Sequence, residues 1–211
     1  YLLSLARAQS ERELRALLQR DPRLYIERLE NNRRLKLVFR PAVLLLYKLE
    51  GYMSLGDDGK CRELIAKLDG MKLQPRDRLQ FYQTKLSFYA YAGDGERAKE
   101  TLTQLEDFLH KSGADEVDQY KKLLRQARQI VAVYVDKDIF MLPKLQRQAA
   151  ATKDGADRGL LQFRIAKLSH YAGDEDQVEV YLNRAAKNLK NTAYSVIIDS
   201  ALEDHTVLER Y

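Results

Sequence analysis

The residues of this 211-residue chain whose types can carry chemistry are three histidines, one cysteine and several acidic pairs. His110, His170 and His205 lie far apart in sequence, and with a single thiol, Cys61, they are poor raw material for a structural zinc site, whose ligands come in closely spaced pairs. Cys61 has no second cysteine with which to form an internal disulfide. Asp57-Asp58, Asp115-Glu116-Asp118, Asp136-Asp138 and Glu175-Asp176 are groupings that can bind cations or do acid/base work. Each falls at an expected helix start, where a carboxylate stabilises free backbone N–H groups by about 0.3–1 kcal/mol, and none has the spacing of an EF-hand loop. His110, beside Lys111 and near Gly113, suits a helix C-terminus. His205 has no identifiable sequence partner. Neither phosphate-binding glycine motif, G-x-G-x-x-G or G-x-x-x-x-G-K-[ST], occurs. The expectation is a chain that is not an enzyme and holds neither cofactor nor metal.

What must position these residues is helix. Apolar residues make up 45% and charged residues 32%, with 10 Gly and 4 Pro, a balance that excludes collagen-like, low-complexity and disordered classes. Leu79, Tyr82, Leu86, Tyr89 and Ala90 recur at three and four residues, as do Ala98, Leu102, Leu105 and Leu109, predicting two amphipathic helices in succession. Between them Gly93 can take positive φ and Asp94 can cap the second helix, which makes an antiparallel hairpin. Ser10 and Glu13 have capping-box spacing, Asp21-Pro22 reads as N-cap and first helical residue, and Asp174 with Gln177 is a weaker box. Pro41 and Pro75 are positioned to open helices, and Gly70 and Gly113 to close them. A second stretch of helix period runs from Val117 to Val133. No sheet is expected.

The formal charge is +5, from 36 cations and 31 anions. Residues 1 to 42 hold ten cations against five anions, leaving 26 of each for the remainder. The cations alternate with acids at helical spacing, as on a solvated helix face, and a basic segment also attracts phosphates or an anionic membrane. The longest apolar stretch, Leu35 to Leu46, is broken by Lys36, Arg40 and Pro41 and is too short to span a bilayer. Tyr1 in place of Met points to a processed or trimmed product from which a signal or anchor can have been removed.

The sequence also repeats itself. Tyr91-Ala92-Gly93-Asp94 returns as Tyr171-Ala172-Gly173-Asp174, with Ser54-Leu55-Gly56-Asp57 as a looser copy. Gly56 and Gly93 are 37 residues apart and Gly93 and Gly173 are 80, so a degenerate unit belongs midway, near Tyr134-Val135-Asp136-Lys137-Asp138. With Tyr82, Leu86, Tyr89, Gly93-Asp94, Ala98, Leu102 and Leu105 in the best unit, the chain resembles the tetratricopeptide repeat family. The other units carry Leu45, Leu49, Tyr52, Gly56-Asp57, Cys61, Ile65 and Leu68, and Ala166, Gly173-Asp174, Val178, Leu182 and Ala185. The likeness is divergent. Lys85-Leu86 and Ile165-Ala166 replace the usual Leu-Gly pair, the units are long, and the closing proline is displaced to Pro75 or missing. The stretch RALLQRDPRLYIERLENN, from Arg15, also looks like the lead-in helices of membrane-associated repeat proteins of Gram-positive bacteria.

The resemblance implies an all-α, right-handed α-α superhelix: basic helices over 1–40, about four helical hairpins over 41–190, and a capping helix and tail over 191–211. Cys61 is then buried where two helices approach. The family register turns Gln80, Gln83, Ser87, Tyr91, Gln126, Tyr134, Phe163, Lys167, His170 and Tyr171 to the concave face, a mixed aromatic and amide surface fitted to an extended peptide. His170 is there either a half-buried, hydrogen-bonded histidine or a ligand contact. The expected function is a non-catalytic interaction scaffold for an unidentified protein or peptide, in the cytoplasm or tethered to a membrane through an unseen N-terminal anchor. Nucleic-acid or anionic-membrane binding through the Arg-rich first helices is the alternative, with nucleic acid disfavoured.

Overall fold

The computed structural model describes residues 2–113, 117–190, 192 and 194–211, and from residue 5 onward their side chains. Tyr1, the Asp115-Glu116 pair and the boundary expected at Asn191 lie outside the described residues. Among the described residues the regular structure is helical throughout, without strands. Twelve α-helices follow in order: α1 Leu2–Arg20, α2 Pro22–Asn31, α3 Arg33–Val38, α4 Pro41–Leu55, α5 Asp58–Asp69, α6 Pro75–Tyr91, α7 Gly95–Lys111, α8 Asp118–Ile130, α9 Leu142–Ala151, α10 Gly155–Tyr171, α11 Glu175–Asn188 and α12 Tyr194–Glu203. A π-helical turn, Val131–Val135, continues α8, and 3-10 turns occupy Ile139–Met141 and His205–Glu209.

The local chemistry explains most boundaries. Asp21 accepts from Arg23 and Leu24 N–H, with Pro22 as the first residue of α2. Pro41 and Pro75 open α4 and α6. Asp174 accepts from Gln177 N–H at 3.2 Å. The capping box expected at Ser10 and Glu13 does not form: residues 2 to 9 are already helical, so Ser10 sits mid-helix and Glu13 accepts from the Gln9 amide at 3.0 Å.

Three turns share one backbone construction. Gly56, Gly93 and Gly173 stand at φ +69°, +74° and +74°. In each, the following aspartate N–H reaches back five residues, from Asp57 to Tyr52, Asp94 to Tyr89 and Asp174 to Ser169, at 3.0, 2.9 and 3.0 Å. The midway turn lacks glycine, and Lys137 takes the left-handed conformation at φ +52° instead. There Asp138 N–H reaches six residues back, to Ala132 at 2.8 Å, because the π-helical turn before it holds one extra residue.

The chain divides into two compact units, each with its own apolar interior. The first comprises Tyr1–Phe88 and Glu100–Asp115. Its N-terminal core gathers Leu14, Tyr25, Ile26, Leu29, Leu35, Phe39 and Val43. Leu46, Leu49 and Cys61 are fully buried, and each such leucine contributes about 1.5–3 kcal/mol. Gly51 of α4 lies so close to α2 that a Cβ there would stand 2.6 Å from Ile26 Cδ1 and 2.8 Å from Tyr25 Cδ1.

The second unit comprises Tyr89–Lys99 and Glu116–Tyr211. Its centre is α10, which packs against α9, α11 and the 3-10 turn 205–209. Phe163, Ile165, Ala166, Lys167, Leu168 and Ser169 are consequently all buried. Around them close Val133, Leu145, Val178, Leu182, Ile198 and Leu208.

Candidate peptide-binding site

The ten residues expected on a concave face divide between the two units. In the first, Gln80 is half-buried on α6 and donates to Glu50 Oε1 at 3.1 Å. Burial raises the Glu50 carboxyl above its usual value, against the lowering effect of the Gln80 bond and of Arg15. Gln83 is exposed and Ser87 half-buried on the same helix. In the second unit, Gln126 is exposed on α8 and takes no part in the cluster described next.

The remaining six residues converge. Tyr91 and Tyr134 meet edge to face, ring centroids 4.8 Å apart. Tyr134 is hydrogen-bonded to Arg164, and Tyr91 to Tyr194. Burial pushes the Tyr134 and Tyr194 phenols well above the ordinary tyrosine range, so both stay protonated. Arg164 also donates to Gln129 at 2.8 Å, and Gln129 to Gln148 at 2.7 Å. Tyr194, Arg164, Gln129 and Gln148 are not legible as site residues from spacing, since they come from four helices.

Phe163 and Lys167 correct the expectation of an open inward surface. Phe163 is 1% exposed, packed against Tyr194 at 5.4 Å between ring centroids, and Lys167 is 3% exposed. Both are covered because the segment after α11 folds back over α10 instead of merely closing the last hairpin. Lys167 Nζ donates to the main-chain oxygens of Leu208 and Tyr211, the latter at 2.6 Å. Its ammonium also lies 5.4 Å from the ring centres of both Tyr134 and Tyr171, while Lys137 Nζ stands 4.5 Å from that of Tyr171. Desolvation pulls the Lys167 amine down to about 8; neighbouring Lys137 adds to the drop and Glu209 opposes it.

His170 completes the contact. Its Nε2 is 3.3 Å from Glu209 Oε1 of the C-terminal turn, and its Nδ1 is 3.4 Å from Glu175 Oε1 without hydrogen-bond alignment. His205 is hydrogen-bonded to the other Glu175 oxygen. That bond, reinforced by the charges of His205 and His170, holds the Glu175 carboxyl below the usual glutamate range. The arrangement holds the chain's own segment 205–211 in three ways: an ammonium for main-chain oxygens, an imidazole for a carboxylate, and a carboxylate for an imidazole. Leu208, fully buried, is the apolar anchor between them. The sequence hint for this contact is a Val-Leu pair, Val207-Leu208, inside an otherwise polar tail.

Among the described residues no group of three His, Cys, Asp or Glu side chains is placed to hold a metal ion. No described helix is long and apolar enough to cross a membrane. Cys61 is buried, and that burial, with Asp58 and Asp57 nearby, pushes its thiol up to about 12, far from a reactive thiolate. In the first unit an open cleft of about 710 Å³ has buried Leu14 and Leu35 in its lining and the exposed Arg20, Arg28 and Arg34 around it. Compared with protein-family models, curated proteins and solved structures, the chain finds no match.

Proposed function

We propose that the chain is a non-catalytic interaction scaffold, a divergent tetratricopeptide-like superhelix whose second unit binds a peptide over α10. One observation carries this reading: Lys167 and His170 already hold a peptide segment by its main-chain oxygens and its carboxylate. Recognition of that kind reads backbone and one charge, which is how a helical groove takes an extended or turn-like ligand. The repeat assignment draws support from the three glycine turns with identical backbone bonding and the fourth turn built on Lys137. The buried thiol and protonated phenols are structural groups in this reading, with no reactive role.

A displayed random-peptide library panned against the full chain tests it, with Lys167→Met and Tyr171→Ala chains of equal thermal stability as comparisons. Selected peptides should bind the parent and lose about tenfold or more against each variant, because the main-chain and aromatic contacts act together at the centre of the site. Equal binding to all three chains removes α10 as the site.

A second reading rests on the cleft of the first unit. Arg20, Arg28 and Arg34 have no carboxylate partner among the described residues and surround an apolar lining, while Leu24 and Leu37 of the adjoining helices are 48% and 82% exposed. Basic side chains beside protruding leucines favour an anionic membrane surface over a nucleic acid.

A further inference from the structure

The segment over α10 is held by contacts of the kind made with a ligand. Its apolar anchor is a single fully buried leucine, Leu208. Its polar contacts cross to other elements pairwise: His205 to Glu175 of α11, Glu209 to His170 of α10, and two main-chain oxygens to Lys167. Thr206, Glu209, Arg210 and Tyr211 remain exposed, so the segment lies against α10 with one side open. It is joined to α12 through Asp204, an exposed residue that caps the turn by accepting from Thr206 N–H at 3.0 Å.

We propose that the cleft over α10 is a peptide site in which residues 205–211 are a tethered, displaceable occupant, and that its partner is a peptide of the same pattern: imidazole or cation, two residues, leucine, acid, then a free main-chain oxygen two residues on. The partner's charges are dictated by the cleft. Lys167 and His170 stand on the side that meets Glu209, and Glu175 on the side that meets His205. A peptide with a basic residue in place of the acid meets the Lys167 ammonium and the His170 imidazole and is disfavoured. The inference rests on the reading of α10 as the binding face, and it adds what the ligand looks like and what must leave before it binds.

The test uses the full chain with a protease site inserted between Glu203 and Asp204, cut after folding so that the core is assembled before the segment is freed. A fluorescent peptide of residues 204–211 is then titrated in and followed by anisotropy. The cut chain should take up the peptide, and the uncut chain should bind it at least about tenfold more weakly, because a tethered occupant competes at an effective concentration near millimolar. Peptides carrying Leu208→Ala or Glu209→Lys should bind at least about thirtyfold more weakly, the first through loss of the buried anchor and the second through like-charge contact. No uptake by the cut chain, or equal affinity of cut and uncut chains, overturns the proposal. So does a mixed-label dimer of uncut chains that excludes peptide, since the cleft then serves exchange between copies. If library-selected peptides bind at Lys167 while the 204–211 peptide neither binds nor competes, the tail inference fails and the binding face stands. If neither class binds there, both fail.

Discussion

Lys167 is a cation placed where water is almost absent, and its stability contribution therefore depends on pH in a definite direction. Its folded-state value of about 8 lies below the ordinary lysine value of 10.5. Between those two values the unfolded chain binds more protons than the folded one, so stability attributable to this residue rises as pH rises through the window. Urea unfolding at pH 8 and pH 9.5 should show the parent gaining about 1–2 kcal/mol relative to Lys167→Met over that step. The comparison cancels the tyrosines, which titrate similarly in both chains. A flat difference means that Lys167 keeps an ordinary affinity for its proton. The sequence put Lys167 on an inward face, and the burial that gives it this behaviour was hidden because it comes from residues some forty positions later. Cys61 was easier, since a small residue on the apolar face of α5 is buried by the neighbouring helix α4. His170 was legible as a half-buried histidine, but its partner Glu209 was not, because no periodicity links α10 to the tail.

Among the elements, α4 is set by how closely it approaches α2. Helix propensity alone says that Gly51→Ala gains about 1 kcal/mol. The Tyr25 ring and Ile26 methyl leave no room for the added carbon, and overpacking of this kind costs about 1–3 kcal/mol. Thermal unfolding should show Gly51→Ala no more stable than the parent and less stable by up to about 2 kcal/mol once both effects are combined. Gly59→Ala in α5, whose new Cβ would meet only Asp57 Oδ1 at 3.6 Å, is the control expected to hold or gain stability. Gly51 gave only part of a sequence signal, since a glycine inside a helix announces a close neighbour without naming it. Turn chemistry was more readable. Glycines at 56, 93 and 173 need the left-handed conformation and have it. Ser10 misled because a capping box is a local pattern, and the apolar residues ahead of it continue the same helix.

For the whole molecule, the uneven distribution of charge matters more than its sum. The first 42 residues carry the entire excess of cations, and three of those arginines border one cleft. Co-sedimentation with vesicles rich in anionic lipid should show binding at about 50 mM salt that declines steeply by about 500 mM, as screening shortens the reach of each charge. Replacing Arg20, Arg28 and Arg34 with Gln should weaken vesicle binding by up to about a hundredfold, near 1 kcal/mol per cation. Binding of labelled RNA in place of vesicles would move the cleft to nucleic-acid recognition, and binding of neither removes it as an anion site. The all-helical class was readable from composition and period alone. The division into two units was not, because two of its limits fall inside α6 and α7, where the apolar period runs on without a break.

The Tyr211 main-chain oxygen, 2.6 Å from the Lys167 ammonium, has a practical side. Any reporter or purification handle joined directly to that residue begins beside α10, where its first few residues crowd or loosen the bonds from Lys167 to Leu208 and Tyr211. Affinities measured on such a fusion would describe the cargo as much as the protein.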